Sequence, residues 1–292
     1  MPTQAELVVD AKAELGEGAI WDPNAQVLYW VNITGGEVHV YDPATGADRA
    51  ISVARPVGTV VPRRSGGLML AVKDGFASLD LDTEKLELVC DPEEHRPELR
   101  FNDGKCDPAG RLWAGTITGR ANPGIASLYC LFPDLTARQM LTGVTNSNGI
   151  CWSLDAKAMY YIDTATATVS AFDYDLDGAA ISNRRSAIVV PEAMGHPDGM
   201  TIDAQGMLWV ALWGGACVSR WDPQSGDLLR TIPIPASHVS SCAFGGDDLD
   251  QLYVTTAREG LDEAALHREP HAGGLFRVEP EAHGVPAFAF AG

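Results

Sequence analysis

Four side chains that carry oxygen donors, Glu17, Asn102, Asn148 and Asp198, occupy the same slot in a motif that recurs along the chain. A turn-forming residue follows each at plus five and an apolar strand begins at plus eleven. These are Asp22 and Leu28, Asp107 and Trp113, Ser153 and Met159, and Asp203 and Trp209. Taken singly, the four are ordinary turn formers, and Asn148-Gly149 and Asp198-Gly199 are hairpin-type dipeptides. Taken together they are a ligand set. Two carboxylates facing one narrow space raise each other's pKa unless positive charge lies between them, and a divalent cation supplies it. An all-oxygen set of Glu17, Asn148 and Asp198, with Asn102 in direct reach or acting through water, suits Ca²⁺, Mg²⁺ or Mn²⁺ and argues against structural zinc. Three protein ligands leave positions open for water and substrate, as catalysis requires. Arg100, two residues before Asn102, is either an ordinary surface residue or a donor to substrate hydroxyls and developing negative oxygen.

Such a set needs a scaffold that brings distant segments to one place. Weaker copies of the motif start at Gly58 and Ser241, with Met69 and Leu252 at plus eleven. The six anchors are then separated by 41, 44, 46, 50 and 43 residues. Each anchor segment leads to a strand at plus eleven (LYWVN, MLAVK, WAGTI, MYYID, WVALW, LYVTT), a third strand with its turn, and a more variable fourth. Helical periodicity is scarce. Six units of four short strands predict an all-β fold, a six-bladed β-propeller with four antiparallel strands per blade, as one domain over residues 1–292. First strands line the channel of a propeller, so the anchors form a ring at one mouth. AELVVDAK is expected to supply the outer strand of the last blade, with AFAF near the C-terminus as the rival.

The chain has 292 residues, 46% of them apolar and 21% charged, which is ordinary for a globular protein. The net charge of −18 opposes binding to nucleic acid or anionic membranes. No apolar run approaches the roughly 18–20 residues of a membrane span, and the N-terminus lacks the apolar stretch of a signal peptide. These features predict a cytoplasmic protein, a monomer or weak oligomer. Six cysteines without CxxC spacing read as reduced and mostly buried, with Cys106, Cys151 and Cys242 inside inner strands. His196 and His238 lie near anchors and read as structural or as groups behind the site. Ser241 has no Ser-His-Asp arrangement or GxSxG elbow around it, so a serine nucleophile is excluded. The insert at 257–274 reads as a short helix over one face, without a legible function.

The stretches LGEGAIWDP (15–23), RFNDGKCDPAGRLWAGT (100–116), NSNGICWSLD (146–155) and HPDGMTIDAQGMLWVALWGG (196–215) resemble the regucalcin and gluconolactonase group of six-bladed sugar lactonases. The match follows order and spacing over nearly the whole chain. The resemblance implies one divalent cation (Ca²⁺, Mg²⁺, Mn²⁺, Zn²⁺ or Fe²⁺) held by Glu17, Asn148 and Asp198. It also implies Asn102 in contact with substrate or a metal-bound water, Arg100 in contact with substrate, Asp103 as their neighbour, and hydrolysis of a glucono- or pentonolactone by an activated water, with Asp198 taking the proton. The segment GRANPGIAS (119–127) departs from the family, whose animal members carry a substrate-touching glutamate there. WVALWGG resembles bacterial sugar-acid lactonases and places Trp213 near the mouth, as a stacking surface for a sugar or as a core residue between blades. Two other readings remain at this point: a calcium-binding or regulatory propeller with a structural ion, and a hydrolase of another ester in the same site. A WD-type interaction propeller is disfavoured, because the GH…WD signature is absent.

Overall fold

The computed structural model describes residues 5–118 and 122–292. Six four-stranded antiparallel sheets follow one another in chain order. Their inner strands are Gly16–Asp22, Val57–Pro62, Arg100–Cys106, Ser147–Trp152, His196–Ile202 and Val239–Gly245, in blades one to six. Each inner strand packs on the inner strands of both neighbours, and the sixth packs on the first, which closes the ring. The fold is the expected six-bladed propeller. Closure uses the N-terminal strand Glu6–Val9, which pairs antiparallel with Leu275–Val278 as the outermost strand of blade six. The rival segment AFAF is not a strand. Its Phe290 is fully buried and bridges Arg63 instead.

A four-stranded sheet has two faces to cover, and here the covering comes from the adjacent blades. Apolar clusters fill the junctions: Trp113, Ile150 and Trp152 between blades three and four, and Trp209, Cys242 and Phe244 between blades five and six. The repeat spacing has a direct cause in blades three and five. The indole Nε1 of Trp113 donates to Asp107 Oδ2, and that of Trp209 to Asp203 Oδ2, both at 2.9 Å. The aspartate at plus five thus ties its turn to the strand at plus eleven, while its other oxygen accepts from backbone N–H groups of the turn. All six cysteines are free. Cys106, Cys130, Cys151 and Cys242 are buried, Cys90 and Cys217 partly so.

The anchors stand near the starts of the inner strands, so the turns that follow those strands lie at the opposite end. There the last residues of the chain run across the molecule. Gly284 pairs with Asp203 of blade five, Phe290 with Arg63 of blade two, and Ala291 N donates to Gly110 O of blade three. The insert forms a short helix, Glu263–Arg268, capped by the Asp262 carboxylate accepting from Ala265 N at 2.7 Å. Among the described residues no helix is long and apolar enough to cross a membrane.

The inner strands approach closely enough to dictate one anchor. A Cβ on Gly58 would stand 2.4 Å from Asn102 O and 2.6 Å from Phe101 O, both backbone atoms of blade three. Gly58→Ala should therefore destabilise the fold by about 1–3 kcal/mol through overpacking, read as a lower midpoint in urea unfolding. An unchanged midpoint would show that the inner strands can separate there at no cost.

Candidate active site

In the blades that supply the four oxygen donors, the inner strand loses one residue of register against the second strand near its anchor. The shifts fall between Glu17 and Ile20, Phe101 and Gly104, Ser147 and Ile150, and Pro197 and Met200. A β-bulge bends the strand and re-aims a side chain, which alternation alone would not place. Asn148-Gly149 and Asp198-Gly199 thus lie within strands and not in hairpin turns. Gly149 serves a close approach, because a Cβ there would meet Asp198 O at 2.7 Å. In blade six the shift falls between Val239 and Ser241, so the bulge lies at Ser240, whose Oγ donates to Gly16 O at 2.5 Å. Ser240, one residue before the anchor Ser241, thereby ties blade six to blade one.

Glu17, Asn102, Asp103, Asn148 and Asp198 are all buried. A relay of hydrogen bonds fixes the amides. Arg100 Nη1 donates to Asn102 Oδ1 at 2.7 Å, and Asn102 Nδ2 donates to Ser147 O at 2.7 Å and Asn148 Oδ1 at 3.1 Å. Asn148 Nδ2 donates to Thr164 Oγ1 at 2.7 Å, and that hydroxyl donates to Pro197 O at 2.8 Å, beside Asp198. Four of the predicted residues, Arg100, Asn102, Asn148 and Asp198, are thereby brought into one site across three blades.

The acids are less settled. Glu17 Oε2 accepts from Gly18 N at 2.8 Å, but Asp198 Oδ1 is buried without any hydrogen-bond partner. Burial pushes both carboxyls well above the usual range, and for Glu17 the facing charges of Asp198 and then Asp103 push further. Asp103 is raised chiefly by burial, against the counteracting charge of Lys105. Lys105 reaches across the channel, its Nζ donating to Met200 O at 2.5 Å. Three buried carboxylates thus face two cationic groups, Lys105 and Arg100.

An orphaned carboxylate oxygen, a facing second carboxylate and an amide oxygen with a spare lone pair form a donor set that suits a hard divalent cation. The set of Glu17, Asn148 and Asp198 fits on chemistry. Among the described residues no group of three or more His, Cys, Asp and Glu side chains is placed as a metal centre, so the amide is needed to complete this one.

Trp213 stands at the rim, partly buried, with its ring stacked on His238 at 4.2 Å and 15°. His196 is exposed beside it. Residues 119–121 of the loop GRANPGIAS lie outside the described residues. Sequence reasoning missed Thr164 and Lys105. Lys105 carried a signal, as the last residue of the NDGK stretch, whereas nothing in the sequence marks Thr164 as the partner of Asn148.

Comparison with known proteins decides the family. The family described as "SMP-30/Gluconolactonase/LRE-like region" matches residues 15–258. The chain belongs to this family. It is 41% identical to the Bacillus subtilis (strain 168) protein named "Putative sugar lactone lactonase YvrE", over 99% of both chains. It is 40% identical to regucalcin of Oryctolagus cuniculus, over 98% of both chains. Among solved structures, a calcium-binding protein, regucalcin, from Agrobacterium tumefaciens superposes with a TM-score of 0.94 at 27% identity, covering 99% of this chain and 98% of that one.

The facing acids make a stability prediction. Asp198→Asn removes one of two facing buried acids whose ionisation the fold opposes, so near neutral pH the metal-stripped variant should melt roughly 3–5 °C above the metal-stripped parent, or about 1–2 kcal/mol. A lower melting temperature in calorimetry would mean that Asp198 is satisfied in the folded chain.

Proposed function

We propose that this chain hydrolyses an aldonolactone, a glucono- or pentonolactone, to the aldonic acid at the mouth of its channel, with Glu17, Asn148 and Asp198 holding one divalent cation. Membership of a gluconolactonase family makes the chain a lactonase. The substrate class, the cation and the residue roles are the proposal. The observation that carries it is the buried, unpartnered Oδ1 of Asp198 opposite Glu17.

A cation bound there would polarise the lactone carbonyl and make water a better nucleophile near neutral pH. The residues do the rest. Asp198 accepts a proton as water adds to the carbonyl carbon, which is general base catalysis by a carboxylate whose burial makes it a stronger base. The bond from that carbon to the ring oxygen then breaks, and the proton goes to the departing alkoxide, leaving a hydroxy acid. Arg100, locked to Asn102 Oδ1 at 2.7 Å, presents its remaining guanidinium N–H groups toward the oxygen that gains negative charge, while Asn102, whose amide hydrogens go to Ser147 O and Asn148 Oδ1, holds Arg100 and Asn148 in place. Their preorganisation means that little rearrangement accompanies the reaction. Trp213 offers its face to the sugar at the rim. We place the protein in the cytoplasm, where six free thiols and a charge of −18 fit a reducing compartment and a soluble chain.

The test is acid release from glucono-, xylono- and arabinonolactones near neutral pH, before and after chelation and with single cations restored. Chelation should abolish turnover and one cation should restore it. Asp198→Asn should lower kcat at least about 10²-fold, and Glu17→Gln should weaken cation retention on dialysis at least about tenfold. Turnover untouched by chelation, or near-normal rates in Asp198→Asn, would contradict the assignment.

A further inference from the structure

The rim holds a second group that the catalytic residues do not use. Past the second strand of blade six, Ala257 pairs with Leu15 across the junction with blade one. Glu259 N and Arg258 N then donate to Glu14 O at 2.8 and 3.0 Å. This pins Glu259 to the segment that leads into Glu17. His238 Nδ1 lies 3.0 Å from Glu259 O, and the same imidazole stacks on Trp213. The main chain of Glu259 is therefore tied to two blades, while its side chain is exposed. Among the described residues no hydrogen bond or ion pair holds its carboxylate.

Opposite stands Arg100 of blade three. Of the carboxylates whose charge acts on that guanidinium, Glu259 acts most strongly, ahead of Glu17 and Asp198. Among the described residues the two side chains form no ion pair, so the Glu259 carboxylate on blade six keeps its capacity to accept and the Arg100 guanidinium on blade three keeps N–H groups to donate. The Trp213–His238 stack lies beside the Glu259 main chain. A carboxylate and a guanidinium from facing blades, with an aromatic stack beside the carboxylate's residue, suit a polyhydroxylated ring. The carboxylate accepts from hydroxyls, the guanidinium donates to them, and the aromatic face covers the C–H side.

We propose that Glu259 binds the hydroxyl groups of the sugar lactone across the mouth from Arg100, beside the Trp213–His238 stack, and so selects polyhydroxylated lactones over plain ones. This rests on the lactone hydrolysis proposed above. Glu259 does not touch the reacting carbonyl, so it governs KM and not kcat.

The test compares the parent chain with Glu259→Gln and Glu259→Ala on gluconolactone and on δ-valerolactone, which has the ring and no hydroxyls. In parallel, calorimetry measures binding of anhydroglucitol, a cyclic polyol without an ester. The variants should raise KM for gluconolactone about tenfold with kcat within about twofold. They should leave δ-valerolactone kinetics unchanged and weaken anhydroglucitol binding in the same proportion as gluconolactone. Equal effects on the two lactones, no effect on either, or a parent chain that binds no polyol would overturn the inference. A parent chain that opens neither lactone would strike the proposed reaction instead, and polyol binding alone would then decide the role of Glu259: weaker binding in the variants supports it, unchanged binding overturns it.

Discussion

The crowding of carboxylates at one end of the channel is the constraint around which the rest of this propeller is arranged. Glu17, Asp103 and Asp198 come from three different blades and are all buried. Ionised carboxylates in such a place lose hydration and repel one another. The fold tolerates them because six blades, each supported by its neighbours, impose the arrangement from outside. The Trp–Asp ties of blades three and five, the buried glycine at 58 and the closing N-terminal strand all serve that rigidity. Lys105 and Arg100 offset part of the negative charge, and the cation we propose would offset the remainder.

The bulges convert a regular repeat into a site. In an unbroken inner strand, successive side chains alternate between the two neighbouring blades, and none is directed by preference at the mouth. In blades one to five one extra residue at or beside the anchor re-aims the side chain, and the blade's own identity decides which group arrives: acid in blades one and five, amide in three and four, none in two. The same device explains why one architecture can host different chemistry through single substitutions at six equivalent slots. Around the mouth, Trp213 at the end of the second strand of blade five and Glu259 in the insert of blade six are the groups we propose to meet the sugar.

Much of this was legible in the sequence because the repeat is physical. Asp107 and Trp113, or Asp203 and Trp209, recur at fixed spacing since each pair shares a hydrogen bond. The anchors Glu17, Asn102, Asn148 and Asp198 followed from that register. What escaped was whatever depends on contacts between blades. Thr164 sits in a loop of blade four and matters only because Asn148 and Pro197 lie on either side of it. Lys105 matters through its reach to Met200. The bulges themselves leave no compositional trace, which is why Asn148-Gly149 reads as a turn and folds as a strand. Glu259 lies in an insert outside the repeat, where periodicity offers no guide.

The central claim is that Glu17, Asn148 and Asp198 form one cation centre. The most direct measurement is anomalous scattering from crystals grown with Mn²⁺. A single strong peak between these three side chains, absent in crystals of Asp198→Asn, is the predicted result. A peak elsewhere with these residues unliganded, or a peak that persists unchanged in Asp198→Asn, would contradict it.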